Sequence, residues 1–274
     1  MRVALLGTGK MGAAIARRLA DAGFDLTLWN RTLERARAVG VGTVAVAPGE
    51  AAEGADVVLS ILFGPESVRE VLGGLRTRGQ VVVEMSTAGV EVLEELAPAL
   101  EGGGSPLLAA PLLGTVSAIE QGSATILVGG EAAAFERARP VLEAFGRPEH
   151  VGSRREAAAL KLLNNAMMGG CALVAVELLA AARREGLDRE AAFRTLCRTM
   201  PYLQARRRGY LDRDHSQVTF QLDGLVKDLE LALRAGHAAG AAMPVIAQAR
   251  ELYAEAAGEH GAEEMTAVTE RYGP

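Results

Sequence analysis

Residues 3–12 read Val3-Ala4-Leu5-Leu6-Gly7-Thr8-Gly9-Lys10-Met11-Gly12, and helical spacing of apolar residues follows from Met11 to Ala22. A short apolar run that ends in glycines and opens a helix is a buried strand handing over to a helix. Gly7-x-Gly9-x-x-Gly12 has the spacing of a dinucleotide-binding loop, a short pattern that gains meaning from its place between strand and helix. Gly7 makes the tight turn, Gly9 lets backbone approach a pyrophosphate, and Gly12 allows the helix to close on the strand. The helix N-terminus offers unpaired N–H groups to phosphates. Thr8, Lys10 and Met11 are candidate cofactor contacts in the same loop.

Further along, the apolar stretches Leu26–Trp29, Val57–Ile61, Val81–Glu84, Leu107–Ala109 and Ile126–Val128 alternate with helical ones at Met11–Ala22, Ser67–Leu72, Val90–Leu100 and Ala132–Phe145. This alternation predicts an α/β Rossmann domain, a doubly wound, mostly parallel sheet, over residues 1–152. From 153 to 274 the texture is all-helical. One proline-free helix runs from Arg155 to Arg184, and others start after Asp188, around Leu225–Ala239 and at Pro244. The long helix is expected to leave the first domain and enter the second.

The formal charge of −5 argues against nucleic acid as the main partner. Arg206-Arg207-Arg208 is expected on a solvated helix face, and Cys171 and Cys197 as reduced core residues without metal-ligand spacing. The chain enters a strand at once, so no signal peptide is expected. No uncharged apolar run reaches the ~20 residues of a membrane helix, and a cytoplasmic protein is expected.

The end of the second strand bears on the nucleotide. NAD-binding enzymes place a carboxylate there for the ribose 2′-hydroxyl, but this chain has Asn30-Arg31-Thr32. A guanidinium fork suits a 2′-phosphate, with Asn30 and Thr32 adding donors and Arg35 one turn on, so NADP(H) is expected rather than NAD(H). In the long helix, Lys161 and Asn165 of Lys161-Leu162-Leu163-Asn164-Asn165 share a face. Polar residues on an Ala/Leu background need a partner or a role. On the residues alone, a snorkelling lysine beside a satisfied asparagine pair stays open. Lys227-Asp228 reads on its own as an exposed helical ion pair.

Taken together, these motifs resemble the β-hydroxyacid dehydrogenase family, end to end. Its members include 3-hydroxyisobutyrate dehydrogenases and the tartronate and glyoxylate/succinic semialdehyde reductases. Gly7–Gly12 resembles the family's cofactor loop and Asn30-Arg31-Thr32 its NADPH-preferring version. Ser86-Thr87 resembles the pair on the nicotinamide side, and Ala110-Pro111-Leu112-Leu113-Gly114 the substrate segment. Lys161-x-x-Asn164-Asn165 resembles the catalytic helix, and Phe220 with Lys227-Asp228-Leu229 the late signature. The resemblance implies Lys161 as proton donor and Asn165 as the residue orienting substrate. It implies Leu62, Thr87 and Lys227 as further cofactor contacts, and Leu113, Gly114, Thr115, Asn165, Phe220 and Lys227 as substrate contacts. It implies hydride transfer between NADPH and a small semialdehyde or β-hydroxy acid, without a metal, in a homodimer or homotetramer built through the helical domain. Partial burial and Lys227 are expected to lower the Lys161 pKa from its free value of ~10.4.

One departure matters for substrate. Leu113 stands where the family has a serine that helps grip the substrate carboxylate, which implies a larger or less polar substrate. Two rival readings share the fold: an imine-reductase-like enzyme, disfavoured by Lys161, and a non-catalytic NADP(H)-binding protein.

Overall fold

The computed structural model describes residues 1–273. The chain forms two compact units, Met1–Lys161 and one from Leu162 onward.

The first unit runs in chain order β1 (Arg2–Leu6), α1 (Lys10–Asp21), β2 (Asp25–Trp29), α2 (Leu33–Arg37), β3 (Thr43–Val44), α3 (Pro48–Ala52) and β4 (Val57–Ser60). It continues through α4 (Pro65–Gly73), β5 (Val81–Glu84), α5 (Val90–Gly102), β6 (Leu107–Ala109), β7 (Leu112–Leu113), α6 (Val116–Glu120), β8 (Ala124–Gly129), α7 (Ala132–Glu143) and β9 (Gly146–Gly152). The strands form one sheet in the order β3-β2-β1-β4-β5-β6, followed by β8, which pairs antiparallel with β6 and β7 and parallel with β9. The first six strands are parallel and have the order of dinucleotide-binding sheets.

Period-two alternation explains the continuous apolar strands. Val3, Leu5, Val57, Leu59, Val81 and Val83 enter one core cluster, while Ala4, Leu6, Val58 and Val82 enter another on the opposite face. With helices on both faces, no strand residue in the middle of the sheet is left for solvent. Three strands escape the sequence pattern. β3 and β7 are two residues each, and β9 contains Pro148 and is largely exposed, as an edge strand can be.

The helix α8 (Arg154–Arg184) starts in the first unit and continues into the second. Its Ala157 and Ala158 belong to a sheet-face cluster, whereas Leu162 and Ala166 belong to the helical core. The units therefore divide at Lys161/Leu162, inside the helix, rather than at the expected 152/153, because its first turns pack on the sheet. The second unit adds α9 (Arg189–Thr199), tight helical turns over Pro201–Asp212, α10 (Leu222–Ala238), α11 (Pro244–His260) and a final turn at Met265–Tyr272. Asp188 caps α9, its carboxylate accepting from the Ala191 N–H at 2.8 Å. Buried Tyr253 donates its hydroxyl to the Gly169 carbonyl of α8 at 2.9 Å.

One expectation needs correction here. Arg206-Arg207-Arg208 is not a solvated helix face. Arg206 is buried against Glu264 at 2.7 Å, Arg207 pairs with Glu190 and Asp212, and Arg208 pairs with Asp214. Folding the run into tight turns gives each guanidinium a carboxylate, from distant Glu264 for Arg206 and from nearby Asp214 for Arg208. α8 contains no uncharged run of ~20 residues, as expected. By length and composition alone this helix is nevertheless apolar enough to cross a bilayer. Core helices of water-soluble proteins pass the same test. Cys171 and Cys197 are free and half-buried.

Candidate functional site

Each glycine of the loop meets different surroundings. Gly7 has φ +106°, and a Cβ there would lie 2.1 Å from the Ile61 carbonyl oxygen. A Cβ on Gly12 would lie 2.0 Å from the Gly7 oxygen, so that glycine serves the close approach of α1 to the loop. Gly9 has ordinary extended backbone, and a Cβ there would meet nothing within 4 Å. Nothing within the protein demands a glycine at that place. A ligand lying on the backbone does, and the open surface at the N-terminus of the 12-residue α1 fits a pyrophosphate. The Thr8 hydroxyl is buried and has no hydrogen-bond partner among the described residues, a second sign that the loop is completed from outside.

At the end of β2, Asn30 does a different job from the one expected. Its Oδ1 accepts from the Thr8 N–H at 3.1 Å and its Nδ2 donates to the Thr32 carbonyl at 3.0 Å. The amide braces the glycine loop against the next turn, so half of its bonding capacity is spent inside the protein. Arg31, Thr32 and Arg35 are exposed, and neither arginine side chain hydrogen-bonds or ion-pairs within the described residues. A 2′-phosphate here would be met by guanidinium groups with their donors available.

Deeper at the carboxyl ends of the strands, the Leu62 N–H donates to the Ser86 hydroxyl at 2.8 Å, and Ser86 itself is buried. Thr87 is half-buried next to it. Lys161 donates from Nζ to the Leu112 carbonyl at 2.8 Å, which fixes the ammonium over β7. It lines a small cavity together with Ser86, Thr87, Pro111 and Glu84. Glu84 was not foreseen: nothing in a carboxylate at the end of an apolar strand tells whether it is buried. Leu113 is half-buried and packs on the same apolar cluster as Leu62, so its side chain contributes to the fold as well as to any substrate surface. Gly114 is exposed with φ +153°, and Thr115 stands at the N-cap position of α6 without a capping hydrogen bond.

In the helical unit, Asn165 is buried. Its Nδ2 donates to Asp228 Oδ2 at 2.6 Å, and its Oδ1 accepts from Asn164 at 3.1 Å. Lys227 donates to Asp228 Oδ1 at 2.5 Å, and Asp228 is only 2% exposed. The expected exposed ion pair is therefore a buried carboxylate shared between an asparagine and a lysine 63 and one positions away. Glu264 is a further residue that sequence reading missed. It accepts from Arg206, from the Thr219 hydroxyl at 2.9 Å and from the Phe220 N–H at 2.9 Å, and so fixes the turn that presents Phe220. No cluster of metal-ligating side chains exists among the described residues.

The whole chain holds only three lysines, Lys10, Lys161 and Lys227, within a Lys+Arg total of 29. Arginine takes every other cationic position. Unlike a guanidinium, which stays charged, an ammonium can give up its proton. All three lysines lie in the motifs described above.

Residues 2–168 match the family model described as the NAD binding domain of 6-phosphogluconate dehydrogenase. Residues 156–272 match the one described as NAD-binding of NADP-dependent 3-hydroxyisobutyrate dehydrogenase. The chain is 30% identical to the Arabidopsis thaliana protein named 3-hydroxyisobutyrate dehydrogenase-like 1, mitochondrial, over 98% of this chain and 85% of that one. It is 29% identical to glyoxylate/succinic semialdehyde reductase 1 of the same plant, over 93% and 92%. The solved Mycobacterium tuberculosis 3-hydroxyisobutyrate dehydrogenase with L-serine superposes with a TM-score of 0.86 at 27% identity, covering 100% of this chain and 99% of that one. Matches that run from residue 2 to residue 272, over a sheet of dinucleotide-binding order, allow one conclusion: this chain belongs to the β-hydroxyacid dehydrogenase family of NAD(P)-dependent oxidoreductases.

Proposed function

We propose that the protein is an NADP(H)-dependent enzyme that interconverts a carbonyl compound and its β-hydroxy acid or alcohol, with Lys161 as proton donor. The observation that carries this reading is Lys161 itself. It is one of three lysines, tied to the Leu112 carbonyl at 2.8 Å beside Ser86 and Thr87, where open α/β sheets bind their ligands. A bound nicotinamide supplies or receives the hydride. The Lys161 ammonium gives a proton to the carbonyl oxygen as negative charge builds there, and takes it back in the oxidative direction. The Leu112 carbonyl holds the ammonium in place, so little ordering is left for the reaction step. Asn165, one turn along the same helix, is assigned the orienting role. Asp228 fixes its amide in one rotamer and leaves one N–H for a substrate oxygen. Arg31 supports the choice of NADP(H). Leu113, apolar where the family resemblance implies a serine, supports a substrate less polar than a short hydroxy acid.

The test is a panel of aldehydes, ketones and imines followed by NADPH absorbance, run on wild type, Lys161→Ala and Leu113→Ser. Lys161→Ala is expected to lose on the order of 10²–10⁴ in kcat with NADPH binding intact. Leu113→Ser is expected to shift preference toward short semialdehyde acids. NADPH binding without turnover of any member of the panel would instead support the non-catalytic reading.

Self-association belongs to the same proposal. Leu163, Met167, Val174 and Leu178 of α8 are exposed by 43–68%. Their spacing puts them within one narrow stripe of the helix. A continuous apolar stripe of this kind is suited to a second copy of the helical unit.

A further inference from the structure

Glu84 ends β5 in the interior, 1% exposed, two residues after Val82 and so on the same face of the sheet. That face also receives Ala158 from the first turns of α8. The Ser86 N–H donates to Glu84 Oε1 at 2.7 Å. The cavity it lines is about 10 Å³, roughly the room of one water molecule. The other walls are apolar or hydroxyl-bearing, Leu93, Ala109, Pro111 and Thr87 among them, and the only cation lining it is Lys161. A carboxylate so placed is costly unless a cation matches it. Other charges lie elsewhere. Glu91, Glu94 and Glu95 of α5 are exposed, with Glu94 paired to Arg155 and Glu95 to Arg69, and β6 and β7 carry no ionisable side chain.

We propose that Glu84 is the buried counter-ion of Lys161, acting on the ammonium across a cavity with room for one water, and so holds Lys161 protonated while it waits for substrate. Glu84 is a positioning residue that works through Lys161. Its effect opposes the lowering expected from burial. The consequence for turnover rests on the reading of Lys161 as proton donor: without the carboxylate, the alkaline limb of carbonyl reduction moves to lower pH.

The pairing itself can be tested without any substrate, because the chain offers only three lysines. Trace labelling of the full protein with acetic anhydride across the neutral-to-alkaline range, read peptide by peptide by mass spectrometry, gives a titration midpoint for each. In Glu84→Gln the Lys161 midpoint is expected to fall by about 1–3 units, with Lys10 and Lys227 unmoved and Glu84→Asp restoring most of the difference. An unmoved Lys161 midpoint in a folded Glu84→Gln overturns the proposal. So does an equal fall at all three lysines, which is the mark of a merely loosened structure. Should Glu84→Gln not fold, Lys161→Met answers the question from the other side. Deprived of its cation, Glu84 takes up a proton at neutral pH and gives a carboxylic-acid band in the infrared that wild type lacks, and absence of that band also overturns the pairing. Loss of turnover in the Lys161 variants bears on the proposed function, and the labelling midpoints bear on Glu84.

Discussion

A Cβ added to Gly12 would press on the Gly7 carbonyl oxygen at 2.0 Å, while one added to Gly9 would meet no protein atom within 4 Å. The two substitutions are therefore expected to separate fold from ligand. Gly12→Ala should lose on the order of 1–3 kcal/mol through overpacking, seen as a lower Tm. Gly9→Ala should keep its Tm and bind NADPH more weakly, and a Tm loss equal to that of Gly12→Ala would remove the argument for a ligand at Gly9. Arg31 is read by the same logic of available donors. Arg31→Ala is expected to raise the Kd for NADPH by about tenfold or more and to leave NADH nearly unchanged, as measured by fluorescence titration. An unaltered ratio of the two affinities would refute the 2′-phosphate role.

At the scale of elements, α8 serves two cores and leaves one face uncovered. Charges placed on that face should act on assembly alone. The double substitution Val174→Glu/Leu178→Glu is expected to lower the mass seen by light scattering to that of one chain, with NADPH affinity kept; a wild-type protein already monomeric at high concentration would rule the interface out. Which elements could be read beforehand follows from their burial. β1, β2, β4 and β5 are apolar on both faces and announce themselves, whereas β9 carries Arg147, Pro148, Glu149 and His150 along an edge. Helices α2, α3 and α6 have five residues each, too few for a 3.6-residue period to repeat. The cofactor loop, Arg31, Lys161 and Asn165 could be picked out because each breaks a local pattern. Glu84, Asp228 and Glu264 could not, since their burial depends on partners such as Asn165 and Arg206, 63 and 58 positions away.

Across the whole molecule the aromatic groups divide between the two units. All four tyrosines, Tyr202, Tyr210, Tyr253 and Tyr272, belong to the helical unit. Burial pushes the Tyr202 phenol up to about 12 and raises the other three as well. Tyr202 and Tyr253 donate to the Met168 and Gly169 carbonyls of α8, bonds that a phenolate cannot make. The unfolded chain releases these protons near pH ~10 while the folded one retains them, so stability is complete below that pH and declines as pH rises above it. Alkaline titration by ultraviolet absorbance should therefore show tyrosinate appearing late, together with loss of helix; ordinary titration near pH ~10 with helix intact would contradict the burial. Trp29, the single tryptophan, stands instead at the end of β2, one residue before the Asn30 brace. The protein thus carries its own pair of optical labels: indole emission reports on the nucleotide-binding unit and phenol absorbance on the helical one, so the order in which the two units melt can be followed without attaching a dye.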